Sequence, residues 1–595
     1  MRTVRLRLAT TSLAVTAIAA TILVAPAPAL AAPTTIHAVQ GTTRKSPLSN
    51  TTVTVTGIVT AIRSGAGFWI QDANPDGDSR TSEGLYVYTG ATPKTAVGNK
   101  VTVTGRVSEF YPGGSSAGGQ SITELTSASW STVSTGNPLP APVALTDALI
   151  PNAYTATGNL ESLTLNPSAY ALDLFASLEG MRVEVGNARV VGPTTPYNEL
   201  WVTAKPNQNS TPRGGTVYGS YSSQNSGRVK VKSLLASTFP QADVGDVLTG
   251  ATTGPLDYDQ FGGYLIAATS LGTLQDNRLA GEQTAAQAAD QLAIATYNVE
   301  NLDPTDPQSK FDRLAAGIVA NLRSPDVVAL EEMQDNSGPT DDGVVAADRT
   351  FTKLINAIIA AGGPSYGYRQ INPQNGQDGG EPGGNIRVGF LFNPARVAFT
   401  DRPGGTATAA TTVVNNGGKA QLSYSPGRIS PTDSNWSATR KPLAGEFTFQ
   451  GQTVIVIANH FSSKGGDQPL YARVQPPTRS SETKRQAQAS IVNTFVKQIL
   501  SVQPTARVVV LGDINDFEFS TTMANLVSGT SLTDLVTTLP AGERYSYVYD
   551  GNSQVLDHIC ISSSFTAYDY DVLHVNAEFA DRASDHDPQV VRVRV

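Results

Sequence analysis

The chain has 595 residues, more than a single hydrophobic core usually serves, and this length predicts several domains. Hydrophobic residues make up 40% and charged residues 15%, with 54 Gly and 36 Pro, which is typical of a turn-rich globular chain and excludes a coiled coil or a disordered polymer. The formal net charge of −8 excludes binding of phosphate backbones through bulk positive charge. Contact with nucleic acid would therefore need local Arg or Lys side chains and a bound cation.

Residues 1–31 are predicted to be a signal peptide. Arginines in the first seven residues precede an apolar run over residues 8–24, and Ala29-Leu30-Ala31 fits a small-residue cleavage site. The alternative is an uncleaved membrane anchor, which the Pro-rich exit from the apolar run disfavours. No later run approaches the roughly 20 apolar residues of a spanning helix. We therefore expect a secreted, extracellular protein that does not insert into the membrane after cleavage.

Residues 32–136 and 137–279 are predicted to form two β-rich modules. The first contains about five short strands with period-two alternation, such as residues 52–60, separated by Gly, Asn and Pro turns. Strands of this number and size favour a small OB-like barrel. The second module shows strand-like runs of the same kind, beginning after the proline-rich residues 138–142. Residues 280–290 are predicted to be a linker or a short helix.

Aromatic side chains on the predicted strands of the first module have two interpretations. Phe68, Trp69, Tyr86 and Tyr88 could stack on bases of a nucleic-acid strand. Because neighbouring strand residues face opposite sides, alternate members could equally belong to the barrel core. Both interpretations stay open at the level of sequence.

One loop of the first module matches the calcium-loop pattern D-x-N-x-D-G-x5-E. Alternating oxygen donors, a glycine turn and a final carboxylate suit a hard cation such as Ca²⁺. The flanks read as strands, not helices, and Pro75 departs from the pattern, so a hairpin loop without an ion is the alternative. The candidate ligands are Asp72, Asn74, Asp76, Asp78 and Glu83.

Residues 290–595 show a different pattern, in which apolar strands alternate with helices. Helices are predicted over residues 310–321, 350–361 and 482–500. Strands interleaved with helices indicate layered sheets covered by helices. Each apolar strand is followed or preceded by polar residues that suit metal or phosphate chemistry, and active sites commonly lie at such strand ends. These stretches are Asn298–Glu300, Glu331–Glu332, Asn459–His460, Asp513–Asn515, Asp557–His558 and Asp585–His586.

The order and content of these motifs resemble the endonuclease/exonuclease/phosphatase superfamily, the fold of pancreatic deoxyribonuclease and abasic-site endonucleases. The arrangement of the whole chain resembles secreted bacterial nucleases of the ExeM/NucH type, which place OB-like modules before that catalytic domain. The resemblance covers residues 290–595 well and the N-terminal half more loosely. It implies an α+β protein whose C-terminal domain is a four-layer α/β/β/α, DNase I-like sandwich preceded by two β-rich OB-like modules.

The resemblance also implies roles for individual residues. Glu332 would be the main ligand of a catalytic Mg²⁺ or Mn²⁺, with Asn298 and Asp585 close by. Asp513 would orient or deprotonate the attacking water, and Asn515 would donate hydrogen bonds to the phosphoryl oxygen. His586, oriented by Asp557, would carry a proton or stabilise charge on the same phosphate. Glu331, Asp516, His558 and Asp587 are expected to be structural neighbours of these residues.

His460 matches a second histidine that deoxyribonuclease-like members place near the scissile phosphate. In those members an acidic residue supports it, whereas Ile386 stands at the corresponding position here. A phosphate contact through Asn459 and His460 is therefore favoured over general-acid catalysis by His460. Arg387, Arg440 and Arg485 are candidate phosphate contacts, with pairing to carboxylates as the alternative.

The function that these residues predict is a secreted nuclease dependent on Mg²⁺ or Mn²⁺, with DNA as its substrate and RNA as a second one, and with no inferable protein partner. The alternatives are another phosphoesterase of the superfamily, acting on lipid or inositol phosphates, and a non-catalytic extracellular DNA-binding protein. Against the lipid enzyme, the sequence shows no exposed hydrophobic hairpin, and OB-like modules suit nucleic-acid strands. Against the non-catalytic protein, every motif keeps its reactive residues.

Overall fold

The computed structural model describes residues 34–235 and 239–595, so the predicted signal peptide lies outside the described residues. Among the helices that are described, none is both long and apolar enough to cross a membrane. Two β-rich modules precede a larger domain in which sheets and helices are layered.

The first module is a closed barrel whose strands follow one another in the order β1-β2-β3-β5-β4. Alternate residues of the first strand, such as Val53 and Val55, are buried in the barrel, and the threonines between them face outward. A short helix, α1, Ile36–Gln40, precedes the barrel. The strands are β1 Thr52–Arg63, β2 Gly67–Gln71, β3 Gly84–Tyr88, β4 Lys100–Phe110 and β5 Ile122–Ser134, with a 3₁₀ turn at Ser115–Ala117.

The second module repeats the strand pairing of the first. Its elements are β6 Val143–Ala144, β7 Gly158–Asn159, a 3₁₀ turn at Leu160–Ser162, α2 Ala171–Ser177, β8 Arg182–Gly192, β9 Glu199–Thr203, β10 Arg228–Ser233, β11 Val247–Asp259, β12 Gly263–Ala268 and β13 Thr273–Gln275. Strands β8, β9, β10, β12 and β11 form a ring in that order, closed by the pairing of β11 with β8. Each ring contains one parallel pair, β3 with β5 in the first ring and β10 with β12 in the second, and the other neighbours in both rings are antiparallel.

The C-terminal domain contains the remaining strands and helices. The helices are α3 Gln308–Ala316, continued by a π-helical turn at Gly317–Asn321, α4 Asp348–Ala360, α5 Glu482–Val502 and α6 Thr521–Val527, and 3₁₀ turns lie at Ser434–Trp436, Leu535–Thr538 and Ala541–Glu543. The strands are β14 Gln291–Leu302, β15 Val327–Met333, β16 Gly367–Gln370, β17 Arg387–Phe392, β18 Ala398–Phe399, β19 Val413–Asn416, β20 Lys419–Leu422, β21 Gly427–Arg428, β22 Leu443–Phe449, β23 Gln452–His460, β24 Val474–Gln475, β25 Arg507–Asp513, β26 Leu532–Asp534, β27 Tyr547–Tyr549, β28 Asn552–Gln554, β29 Asp557–Ser562, β30 Tyr568–Val572 and β31 Gln589–Arg594.

Four layers make up this domain. One sheet has the order β16-β17-β15-β14-β31-β30, and the other has β18-β22-β23-β25-β29-β26. The central core joins the facing sides of both sheets. A second core packs α3 and α4 on the outer face of the first sheet, and a third packs α5 and α6 on the outer face of the second. The predicted α+β domain is therefore present. Residues 280–290, in contrast, form neither a helix nor a strand before β14 begins.

The topology brings the polar strand ends together. Strands β14 and β15 are parallel neighbours in the first sheet, as β23 and β25 are in the second. Their carboxyl ends carry the motif residues, with Asn298 opposite Glu331 and His460 opposite Asp513. Strand β29 runs antiparallel to β25 and begins at Asp557, directly opposite Asp513. One edge of the sandwich therefore collects side chains from five strands or strand ends.

A loop of the C-terminal domain is inserted into the second module. It follows β23, and its β24 pairs with β7 of the second module. Tyr471 on this loop is 4% exposed and belongs to the core of that module. The Tyr471 hydroxyl donates to the Gln260 carbonyl and accepts from the Gly262 amide, both at 2.8 Å. The second module and the C-terminal domain therefore share a packed interface.

Candidate active site

The carboxylate of Asp513 lies at the centre of the site. The Asn298 side-chain amide donates to Asp513 Oδ2 at 3.2 Å and to Glu332 Oε1 at 3.1 Å. The Asn515 backbone amide donates to Asp513 Oδ1 at 2.8 Å. His460 Nε2 lies 3.5 Å from Asp513 Oδ2 and 3.8 Å from Glu332 Oε1. Residues from both sheets therefore meet within a few ångströms.

A histidine–carboxylate pair borders this cluster. His586 Nδ1 lies 2.8 Å from Asp557 Oδ2, and His586 Nε2 lies 3.9 Å from Asp513 Oδ2. Burial opposes protonation of His586, but the carboxylates of Asp557 and Asp513 outweigh it and raise its pKa well above the ordinary value. The hydrogen bond at Nδ1 fixes the ring with Nε2 toward the Asp513 cluster, as a proton carrier requires.

The backbone at the site is held in an unusual conformation. Glu332 has φ 64°, Asn515 has φ 56° and Glu300 has φ 50°, in the left-handed region that non-glycine residues seldom adopt. The Glu332 side chain is held in place as well, because the Asn301 amide donates to Glu332 Oε2 at 3.0 Å. Such conformations cost of order 1–3 kcal/mol each and cluster at functional sites.

The negative charges of the cluster are only partly compensated. Burial raises the pKa of Asp513 to about 7, with Asp557 and Glu332 adding to the rise and His586 opposing it. Burial and the positive charges of Arg440 and His586 lower the pKa of His460 well below its ordinary value. A neutral His460 imidazole beside two carboxylates is suited to ligation or hydrogen bonding rather than to donating a proton.

This donor set fits a divalent cation. One ligand atom from each of Glu332, His460 and Asp513 lies within 4.8 Å of the others, as do atoms of Asp513, Asp557 and His586. Carboxylate oxygens are the ligands that Mg²⁺ and Mn²⁺ prefer. The predicted ligand Asp585 is half-buried, and its charge acts on both Glu300 and His586. Burial raises the Glu300 pKa and Asp585 adds to that rise, and Asp585 is also among the carboxylates that raise the His586 pKa.

The structure corrects several predicted phosphate contacts. Arg387 is 1% exposed and donates to protein acceptors, including the carbonyls of Val345 and Asn385. Arg485 is 0% exposed and pairs with Asp516 at 3.0 Å. Neither guanidinium faces the cluster, so both stabilise the fold.

The remaining two candidates also differ from each other. The Asn459 amide nitrogen donates to backbone carbonyls of the sheet, which leaves only an acceptor oxygen and no donor for a phosphate. Arg440 donates to the Phe461 carbonyl at 2.8 Å, and its charge acts on His460 and on the carboxylates of Glu332 and Asp513. Arg440 is therefore the predicted arginine that the structure places beside the cluster.

The neighbours of the motif residues are held by internal hydrogen bonds. Glu331 is buried and accepts from the Thr296 hydroxyl at 2.8 Å. Asp516 accepts from Arg485, Lys464 and Thr522, His558 contacts Asp534, and Asp587 accepts from backbone amides of residues 575–577. These contacts agree with structural roles for all four neighbours.

The sequence did not indicate two residues that contact the histidine–carboxylate pair. The Ser546 hydroxyl donates to Asp557 Oδ2 at 2.7 Å. The Tyr547 ring lies 4.8 Å from the His586 ring, and the two backbones form a β-bridge. The signal was the alternating run Tyr545-Ser-Tyr-Val-Tyr549 shortly before Asp557, which resembles an ordinary strand.

The candidate calcium loop connects β2 to β3. Its carboxylates accept hydrogen bonds from the loop itself: Glu83 Oε1 from the Asp76 amide at 2.8 Å, and Asp76 Oδ1 from the Asp78 amide at 2.8 Å. Asp78 also pairs with Arg80 at 2.6 Å. His37 Nδ1 lies 3.4 Å from Glu83 and 3.9 Å from Asp76. The strand–loop–strand setting agrees with a hairpin loop, and calcium binding there stays a prediction.

The match to a known family covers the domain that holds this site. Residues 295–586 match the Endonuclease/Exonuclease/phosphatase family, and residues 140–276 match a domain of unknown function, DUF8508. Residues 295–586 therefore form an endonuclease/exonuclease/phosphatase family domain. Members of this superfamily are typically metal-dependent phosphoesterases. Among curated proteins, none matches the chain.

Several solved structures are similar to about half of the chain. D. rerio TDP2 complexed with a single-strand DNA product is 20% identical over 51% of this chain and 99% of that one, with a TM-score of 0.32. The human nocturnin catalytic domain with a bound sulfate anion is 14% identical over 51% and 93%, with a TM-score of 0.32. An endonuclease/exonuclease/phosphatase family protein from Bacteroides thetaiotaomicron is 16% identical over 51% and 97%, with a TM-score of 0.31.

Proposed function

We propose that the protein is a secreted nuclease that hydrolyses phosphodiester bonds of extracellular DNA, and of RNA as a second substrate, with Mg²⁺ or Mn²⁺ as cofactor. The observation that carries the proposal is the junction at Asp513. There a carboxylate–amide cluster suited to a divalent cation lies 3.9 Å from the imidazole of a histidine–carboxylate pair. Hydrolysis of a diester needs stabilisation of phosphoryl charge and proton transfer to or from oxygen, and this junction offers both.

Each residue of the junction has a proposed task. Glu332 would hold the cation, while the Asn298 amide donates to both Glu332 and Asp513 and fixes the two carboxylates relative to each other. The cation would supply Lewis-acid stabilisation of the phosphoryl oxygens. Asp513 would take the proton of the attacking water. The Asn515 side-chain amide, which donates to the Phe461 carbonyl at 3.3 Å and to Asp513 Oδ2 at 3.2 Å, would exchange one of these bonds for a phosphoryl oxygen. His586 would carry a proton at Nε2 while Asp557 holds Nδ1.

The two barrels support a polymeric substrate over a small phosphate ester. Each is a ring of five strands with the same pairing, and we propose that both are OB-like modules, a fold that binds oligonucleotides. Tyr88 of the first barrel is 46% exposed and remains available for stacking, whereas Phe68 and Trp69 are buried and belong to packed cores. Secretion rests on the predicted signal peptide.

The test offers different classes of substrate to a purified protein that comprises residues 32–595. Supercoiled, linear and circular single-stranded DNA, RNA, phospholipid vesicles and inositol phosphates are each offered with Mg²⁺ or Mn²⁺ and with EDTA. We expect metal-dependent cleavage of DNA. Cleavage of phospholipid or inositol phosphate without cleavage of DNA would replace the nuclease with another phosphoesterase, and binding of DNA without cleavage of any substrate would favour the non-catalytic protein.

A further inference from the structure

The second module contacts the part of the C-terminal domain that carries Tyr547 against His586. The contact is made by residues 216–225, named here the anchoring segment, which lie between β9 and β10. This segment pairs with the hairpin formed by β27 and β28, residues 547–554. The same hairpin leads through Val555 and Leu556 into Asp557.

Backbone hydrogen bonds make the anchoring segment a third strand beside the hairpin. The Tyr218 amide donates to the Ser553 carbonyl at 2.9 Å, and the Ser553 amide donates to the Thr216 carbonyl at 2.8 Å. The Thr216 hydroxyl adds a bond to the Gly551 carbonyl at 2.7 Å. Thr216 and Ser553 are both at most 1% exposed, so loss of these bonds would leave buried polar groups unpaired.

Side chains extend the same contact. The Asn225 amide donates to Asn552 Oδ1 at 2.8 Å and to the Val217 carbonyl at 2.9 Å. At the tip of the hairpin, Gly551 has φ 70° and approaches the second module so closely that a Cβ there would lie 2.8 Å from the Cβ of Trp201. The hairpin is thus fixed from both its edge and its tip.

Tyr218 links the anchoring segment to two catalytic loops at once. Its ring lies 5.1 Å from the ring of Phe517, two residues after Asn515. It also shares one hydrophobic cluster with Leu556, the residue before Asp557. Tyr218 is 3% exposed, so this contact excludes water.

The hairpin in turn holds the histidine–carboxylate pair. Tyr547 forms a β-bridge with His586, and the Asp587 amide donates to the Ser546 carbonyl at 2.8 Å. The Ser546 hydroxyl contacts Asp557 at 2.7 Å. A shift of the hairpin would therefore move both His586 and Asp557, and misplacement by about 1 Å can lower a rate by roughly 100-fold.

We propose that the second module is a positioning element of the active site, and that Tyr218 and the backbone of residues 216–218 hold the 545–557 region in its catalytic geometry. The catalytic consequence rests on the proposed nuclease function, whereas the mechanical consequence does not. Loss of this contact should therefore lower kcat. Loss of a module that only added binding surface would raise KM instead.

The test uses the full-length protein with Tyr218→Ala, and Tyr218→Phe as the conservative variant that keeps the ring. A matched control is Val231→Ala, which removes buried volume from the core of the same module away from the hairpin. DNA-cleavage kinetics give kcat and KM separately. Amide hydrogen exchange over residues 545–557 reports the hairpin whether or not DNA is the substrate.

We expect Tyr218→Ala to lower kcat by roughly 10–100-fold with little change in KM, and to speed exchange over residues 545–557. Tyr218→Phe should restore both, and Val231→Ala should change neither. Unchanged exchange in Tyr218→Ala would overturn the positioning role, as would equal loss of kcat in Val231→Ala. Faster exchange in a protein that cleaves no DNA would keep the mechanical link and reject the nuclease instead.

Discussion

Asp557 Oδ2 receives two contacts at once, from His586 Nδ1 at 2.8 Å and from the Ser546 hydroxyl at 2.7 Å. This carboxylate oxygen therefore orients the His586 imidazole and is itself held in place by the Ser546 hydroxyl. Replacing Asp557 with Asn removes the charge that raises the His586 pKa, and the amide NH2 group that takes the place of one carboxylate oxygen can favour the wrong His586 tautomer. We expect Asp557→Asn to lower kcat by roughly 100-fold or more.

The measurement for this prediction is steady-state DNA cleavage alongside thermal unfolding. Asp581→Asn, which changes an exposed carboxylate of the same domain, is the matched control. Ser546→Ala should give a smaller loss, because it removes one support of Asp557 and leaves the His586 contact. Wild-type turnover in Asp557→Asn would show that His586 does not depend on Asp557.

The contact between His558 and Asp534 predicts a pH dependence of stability. His558 Nδ1 lies 3.0 Å from Asp534 Oδ2 and Nε2 lies 2.9 Å from the Asp516 carbonyl, so only the protonated ring can donate to both acceptors. Burial would lower the His558 pKa, but Asp534 outweighs it and raises it to about 9 from 6.5. Because the folded-state pKa is raised, this stabilisation is complete below about pH 6.5 and is lost as the pH rises through about 9.

Urea unfolding at pH 6.5 and pH 9 checks this dependence. The free energy of unfolding of wild type should fall over that interval by an amount on the order of a few kcal/mol. His558→Gln carries no titrating imidazole and should show a flatter profile. Parallel profiles for the two proteins would mean that His558 titrates similarly in the folded and unfolded states.

Calcium binding by residues 72–83 predicts a thermal shift. Ligand at 100 times its Kd stabilises a folded protein by about 2.7 kcal/mol. If the loop binds Ca²⁺, the wild-type melting temperature should rise with calcium, and Asp76→Ala should abolish the rise. Absence of a shift in wild type, or an equal shift in Asp76→Ala, would leave the loop as an ordinary hairpin connection.

Much of the candidate site could be predicted from the sequence, because runs of apolar residues indicate where the strands end. Asn298, Glu332 and Asp513 each follow such a run, and parallel neighbours place those ends at one edge. The arginines were not predictable in the same way. Whether a guanidinium faces a phosphate or a carbonyl depends on long-range packing, and Arg387 and Arg485 lie among internal acceptors.

The contacts between the second module and the C-terminal domain also could not be predicted from the sequence. Tyr471 belongs to a stretch without clear periodicity, yet it packs in the core of a module more than 200 residues earlier. Tyr218 likewise lies in a polar loop that carries no motif. Contacts between elements so distant in the chain leave no local pattern, so the attachment of the second module to the loops of the candidate site could not be predicted.

Glu332 is proposed to hold a divalent cation that is required for cleavage of DNA. The most direct measurement is plasmid cleavage by wild type and by Glu332→Gln over a range of Mg²⁺ and Mn²⁺ concentrations, with EDTA and with unfolding temperatures recorded without metal. We predict that EDTA stops wild type, and that Glu332→Gln unfolds at the wild-type temperature but loses cleavage or needs far more metal. Cleavage that persists in EDTA, or wild-type metal dependence in Glu332→Gln, would contradict the claim.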